Sequence, residues 1–151
     1  MVMRRFFTLL IPILLLSGCL AERGQDIYNP QIVEQKWENN SYQFWNSEPM
    51  SVGNTTILSF NETGDVNIVV ELEVFFHEPS LWDSGYINYT LINENETVFS
   101  HQLSEGDTHY QISIFSVSNL TILIRASGSD NTTNGQPGDW FVARTYCEMK
   151  I

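Results

Sequence analysis

From residue 31 onward, apolar and polar residues alternate with a period of two, the spacing of a strand that hides one face and wets the other. The cleanest stretch is 66–77, where Val66, Ile68, Val70, Leu72, Val74 and Phe76 share one side and Asn67, Glu71, Glu73 and His77 the other. Before it, Asn61-Glu62-Thr63-Gly64-Asp65 follows a short run ending Ile57-Leu58-Ser59-Phe60, a pattern that predicts a hairpin. Further strands are predicted at 86–92, 97–103, 110–116, 120–126 and 140–151, with weaker ones at 31–37 and 41–45. Beyond the leader, no window of about ten residues or more keeps a 3.6-residue period, so helix is expected to be minor. About eight strands, each with one apolar face to bury, predict an all-β fold: an antiparallel β-sandwich with jelly-roll or Greek-key connections.

The first thirty residues follow a different rule. Arg4 and Arg5 precede an almost unbroken apolar run at 6–16, and Leu16-Ser17-Gly18-Cys19 closes it, the layout of a secretory signal helix. At about 1.5 Å per residue, the run covers roughly half of a ~30 Å hydrocarbon core, and Pro12 interrupts it. The four closing residues resemble the lipobox of lipoprotein precursors: an aliphatic residue, a small residue, Gly, then Cys. The resemblance implies cleavage before Cys19 and a diacylglycerol on its thiol, a two-chain anchor that holds a protein at a membrane. The chain then divides into a signal peptide at 1–18, a lipidated tether at 19–30 and a sandwich domain at 31–151, displayed on the outer face of the cell membrane. Cleavage after Ala21 is the alternative, and it would release a secreted protein. With Cys19 lipidated, Cys147 has no partner within the chain, which excludes an intramolecular disulfide framework and a cysteine-rich zinc site. Cys147 shares parity with Phe141, Ala143, Met149 and Ile151, so it is expected to be a small buried hydrophobe.

Composition narrows the class. A chain of 151 residues, 42% hydrophobic and 13% aromatic, is enough for one domain with a real core; it is too apolar for disorder and too short for two lobes closing on a ligand. The net charge is −11, and loss of the leader removes Arg4 and Arg5 and makes it more negative. Seven basic residues against 18 acidic ones count against a nucleic-acid partner and against docking on anionic lipid.

Asn-x-Ser/Thr sequons begin at Asn39, Asn54, Asn61, Asn88, Asn95, Asn119 and Asn131, where composition alone predicts roughly two. The strand pattern turns Asn88 and Asn119 outward and puts Asn61, Asn95 and Asn131 in turns, where a glycan does not disturb the core. Sequons and a lipobox on one chain point to an archaeal cell surface; an Asn- and Thr-rich polar surface that generates sequons as a by-product is the alternative.

The candidate chemistry is sparse. Trp82 is the tryptophan that the strand pattern explains least; beside Asp83 and Glu78 it is suited to stack on a sugar ring whose hydroxyls the carboxylates accept, unless it caps the end of the core. Trp37, Tyr42, Phe44, Trp45 and Trp140 are core or interface candidates. The polar loop 128–139 holds Asp130, Asn134 and Asp139, oxygen ligands of the kind a structural calcium takes, although Phe141 stands where an EF-hand has its glutamate. His77, His101 and His109 are scattered. Glu71 and Glu73, about 7 Å apart on one strand face, have a spacing glycosidases use, but no nucleophile elbow, His-Glu-x-x-His or phosphate-binding loop occurs. Leu120 to Ala126, a Gly/Asp/Asn-rich loop and Gly138-Asp139-Trp140-Phe141-Val142-Ala143 are together similar to jelly-roll carbohydrate-binding and galactose-binding-like modules. The expectation is a non-enzymatic module that needs no cofactor beyond the candidate calcium and binds a glycan or a surface protein. The alternatives are a structural envelope component and a secreted glycan-active hydrolase.

Overall fold

Among the described residues of 31–151 the alternation is realised as six strands: β1 (Ile32–Gln43), β2 (Met50–Phe75), β3 (Tyr86–Asn93), β4 (Glu96–Leu103), β5 (Gly106–Gly128) and β6 (Trp140–Lys150). The computed structural model describes residues 30–76, 85–130 and 138–151, and among them there is no helix. All pairings are antiparallel, in the order β1-β6-β2-β5-β3-β4.

Two strands are long enough to serve twice. Residues 50–59 of β2 pair with 119–128 of β5, and residues 64–74 pair with 106–117. β6 joins only the second half of β2, and β3 only the second half of β5. The register breaks between Ser59 and Val66, and Ser116 opposite has φ of 56°. At that bend one continuous ladder folds over into two layers, β1-β6-β2-β5 and β2-β5-β3-β4, as bulges allow. The layers face each other. The Tyr89 hydroxyl of β3 lies 2.6 Å from Thr145 Oγ1 of β6, and these two strands share no ladder bonds.

The expected hairpin at 61–65 is therefore not formed. Leu58 and Phe60 are buried on the same side as Val66 and Ile68, in one bent strand, and 110–116 and 120–126 are likewise one strand; the segments expected at 31–37 and 41–45 merge into β1, which ends at Gln43 and leaves Phe44 and Trp45 beyond it. Gly64 makes the bend possible, since a Cβ there would come within 2.8 Å of the Lys150 carbonyl oxygen. About eight strands were expected, and the six described strands supply eight strand segments because β2 and β5 each count in both layers.

The core lies between the layers: Val66, Ile68, Val70 and Leu72 of β2 meet Ile87, Tyr89 and Leu91 of β3, with Leu120, Ile122 and Ile124 of β5 and Ala143, Cys147 and Met149 of β6. Cys147 is buried as expected, and burial pushes its thiol up to about 12. Ile151, expected to share that side, is 44% exposed.

Each open side of the sandwich is closed differently. Along one, β1 turns Glu34, Lys36, Glu38 and Asn40 toward the first half of β2. Glu34 accepts the Asn61 N–H at 2.9 Å, Lys36 sits 5.7 Å over the Phe60 ring, Glu38 accepts the Thr56 hydroxyl at 3.3 Å and Asn54 donates to Asn40. Charged side chains pointing inward from an edge strand discourage pairing with another chain. Along the other side, Phe99 and His101 of β4 pack on Tyr110 of β5, both at 5.0 Å between centroids.

Candidate binding face

The outer face of the layer β1-β6-β2-β5 is ordered into rows by its register. Trp37, Tyr146, Val69 and Gln111 form one row across the four strands, and Asn39, Arg144, Glu71 and His109 the next. Gln35, Glu148, Asn67 and Ser113 flank the first row on its other side. On β2, β5 and β6 these residues alternate with inward-facing apolar ones, and on β1 with the inward charged residues, so turning one set in presents the other to water.

A groove of about 470 Å³ lies on this face, lined by Trp37, Tyr146 and Val69 with Glu71 and Arg144 beside them. Trp37 is 76% exposed. A second depression of about 470 Å³ adjoins it across Val69, bordered by Asn67, Gln111, Ser113 and Glu148. A smaller one of about 290 Å³ adjoins it across Glu71, bordered by Glu73, Asp107 and His109.

The polar groups around the groove are braced. Arg144 is hydrogen-bonded to Glu73 and lies 3.8 Å from Glu71, and the Glu73 carboxylate holds the guanidinium pKa above its ordinary value. His109 Nδ1 is 3.6 Å from Glu71. Tyr146 donates to Glu148 at 2.9 Å, which raises the phenol pKa, and Gln35 donates to the same carboxylate oxygen at 3.2 Å. An aromatic surface bordered by amides and fixed carboxylates matches the needs of a sugar, whose ring has an apolar face and a hydroxylated rim. Glu71 and Glu73, paired in the sequence analysis for their spacing, are brought together on Arg144.

The other sequence candidates fall elsewhere. Cys19, Glu78, Trp82, Asp83, Asn131, Asn134 and His77 lie outside the described residues. Asp139 is buried at the base of the 128–139 loop: its Oδ2 accepts the Ser129 N–H at 2.9 Å, and its carbonyl accepts the Phe44 N–H at 2.8 Å. Asp130 donates its N–H to the Asn46 carbonyl at 2.6 Å. Both aspartates thus tie the described ends of the 128–139 segment to the residues after β1, and among the described residues no three His, Cys, Asp or Glu side chains gather. His101 points to the aromatic side closure and His109 to the outer face, so these two do not converge. The sequons at Asn39, Asn54, Asn61, Asn95 and Asn119 are exposed, and Asn88 is half-buried. Asn61 lies in the bend of β2, not in a turn.

The sequence analysis left Trp37 unsorted because β1 has no apolar side. Its even positions from Glu34 to Asn40 are polar, and so are most of its odd ones, so alternation alone assigned no direction. The usable signal lay in β6, where Arg144, Tyr146 and Glu148 alternate with the buried set.

Fold and face together define an antiparallel β-sandwich with an aromatic groove on one outer sheet face. No protein-family model matches the chain, and no curated protein matches it in sequence. Among solved structures it is similar to an acid-stable capsid structure of Helicobacter pylori bacteriophage KHP30, with 13% identity over 80% of this chain and 92% of that one and a TM-score of 0.48. It is also similar to TmCBM61 in complex with β-1,4-galactotriose, with 10% identity, 79% and 90% coverage and a TM-score of 0.45. Bacillus endospore appendages, a family of disulfide-linked pili, follow at 10% identity, 80% and 90% coverage and a TM-score of 0.37. The likeness in each case is one of architecture.

Proposed function

We propose that this chain is a non-enzymatic glycan-binding module held at the outer face of the cell membrane by lipid on Cys19. The observation that carries the binding half is Trp37, a large apolar side chain left 76% exposed in a groove with Tyr146 and Val69. An isolated exposed side chain needs no explanation, but an aromatic groove with convergent polar groups is the usual form of a ligand site. Glu71, Glu73, Glu148 and Asp107 outnumber Arg144 and Lys150 on this face, so it favours neutral sugars and repels uronates.

The test is titration of unglycosylated protein with β-1,4-galactotriose and cellohexaose, beside Trp37→Ala and Trp82→Ala. Loss of stacking on Trp37 is expected to weaken binding about tenfold or more, as for about 1.4 kcal/mol. Loss in Trp82→Ala alone would move the ligand to the 77–84 segment, and binding by neither wild type nor variants would remove the glycan reading.

The anchoring half rests on the lipobox. Detergent partitioning and intact mass are expected to show a membrane-bound, diacylglycerol-bearing species in the wild type and a soluble one in Cys19→Ala. A native protein that begins at Glu22 would overturn it.

A further inference from the structure

We infer that Asn39 carries a glycan whose first sugar lies on Trp37, so that the chain covers its own groove. The regulatory part of this rests on the binding reading above; the stacking part does not. Asn39 begins the sequon Asn39-Asn40-Ser41, and Trp37 stands two residues before it. On a strand, residues two apart point to the same side at roughly 7 Å, about the length of one sugar ring. Both side chains are on the outer face, in adjacent rows: Trp37 opposite Tyr146 and Asn39 opposite Arg144. Both are exposed, so the Asn39 amide is open to modification and the indole is open to whatever is attached there.

The other described sequons do not repeat this arrangement. Val52 precedes Asn54 by two residues, Ser59 precedes Asn61, Asn93 precedes Asn95 and Val117 precedes Asn119. Tyr86 precedes Asn88, but it is half-buried at the start of β3. Among the described sequons, only that of Asn39 has a broadly exposed aromatic ring two residues before it on the same strand.

The attachment is a substitution at the anomeric carbon of a lipid-phosphate-linked oligosaccharide. A bond forms from Asn39 Nδ2 to that carbon, the carbon–oxygen bond to phosphate breaks, the lipid phosphate leaves with the electron pair and the amide gives up one proton. The new sugar is tethered beside the indole, so it competes with free sugars at a high local concentration. An unmodified chain offers an open groove and a modified chain a filled one.

Ser41→Ala provides the test, because it destroys the sequon while keeping Asn39 and Trp37. Protein from its native membrane is compared with Ser41→Ala, each with Trp37 and with Trp37→Ala. Glycopeptide mass is expected to show Asn39 occupied. The glycan is expected to raise Tm by about 2–4 °C with Trp37 present and by much less in Trp37→Ala. Galactotriose is expected to bind Ser41→Ala about tenfold or more tightly than the glycosylated wild type. An unoccupied Asn39, or an equal Tm increment in both backgrounds, overturns the stacking. If the stacking increment is seen and no form binds free sugar, the binding reading falls and the self-stacking stands. If both forms bind free sugar equally, the covering of the groove falls alone.

Discussion

Replacing Phe44 with alanine is expected to cost about 3–5 kcal/mol, the usual range for truncating a buried aromatic residue. Phe44 lies just beyond β1, outside any strand, yet it is fully buried. Its ring meets Tyr42 edge-on at 5.0 Å and lies 6.3 Å from Phe76, so it plugs the end of the sandwich opposite the β2 bend. Two glycines make room for it. A Cβ on Gly128 would stand 2.8 Å from the ring, and one on Gly138 would stand 2.5 Å from the Phe44 carbonyl oxygen. Walls formed by strand ends and by Asp139, which takes the Phe44 N–H, leave little freedom to collapse into the space. Urea denaturation checks this through the midpoint at constant m, with Phe44→Leu expected to lose much less. A loss below about 1 kcal/mol in Phe44→Ala would mean that the end of the core is not sealed by this residue.

The second large effect concerns the hydrogen bond between Tyr89 and Thr145. Both residues are buried, at 0% and 2% exposure, in an otherwise apolar interior. Burial pushes the Tyr89 phenol well above its ordinary value, so the hydroxyl keeps its proton and its need for a partner. Thr145→Val is expected to cost about 1–3 kcal/mol, because it strands the Tyr89 hydroxyl, and Tyr89→Phe about as much by stranding Thr145. Tyr89→Phe with Thr145→Val together should cost clearly less than the sum, since two apolar groups replace the pair. Additive losses in chemical denaturation would show that the two hydroxyls are satisfied independently. The bond joins strands of opposite layers, so it also ties the two layers together.

The parts of the fold that were legible in the sequence are those governed by one strand at a time. In 66–76, alternation named the buried side chains correctly because every inward position is aliphatic or aromatic and several outward ones are polar. The same held for Ile87, Tyr89 and Leu91, for Leu120, Ile122 and Ile124, and for Cys147 in β6. Segment 61–65 misled because Asn, Gly and Asp suit a bulged bend as well as a tight turn. Both need a glycine and local loss of ladder bonds, and only the neighbours distinguish them. Here Gly64 admits the Lys150 carbonyl, which belongs to a strand 86 residues away in the chain.

The candidate face was less legible. Glu71 was assigned outward from parity, and Arg144, Tyr146 and Glu148 alternate with the buried set of β6, but on separate strands they had no meaning as a group. Trp37 joined them only because β1 pairs with β6 in a register that sets Trp37 opposite Tyr146 and Asn39 opposite Arg144. The inward charges of β1 were unreadable for the same reason: Glu34, Lys36 and Glu38 are accommodated by Asn61, Phe60 and Thr56 of another strand.

By itself, then, the amino-acid sequence determined the all-β class, the buried sets of the central strands and the outward direction of Asn88 and Asn119, because side-chain alternation is a property of each strand's own backbone. The tertiary structure alone decided that β2 and β5 pass through both layers, which edges are closed by charge and which by aromatics, and that Trp37 borders a groove. Those outcomes depend on which strands become neighbours and in what register, and pairing between residues far apart in the chain leaves no mark on the local pattern.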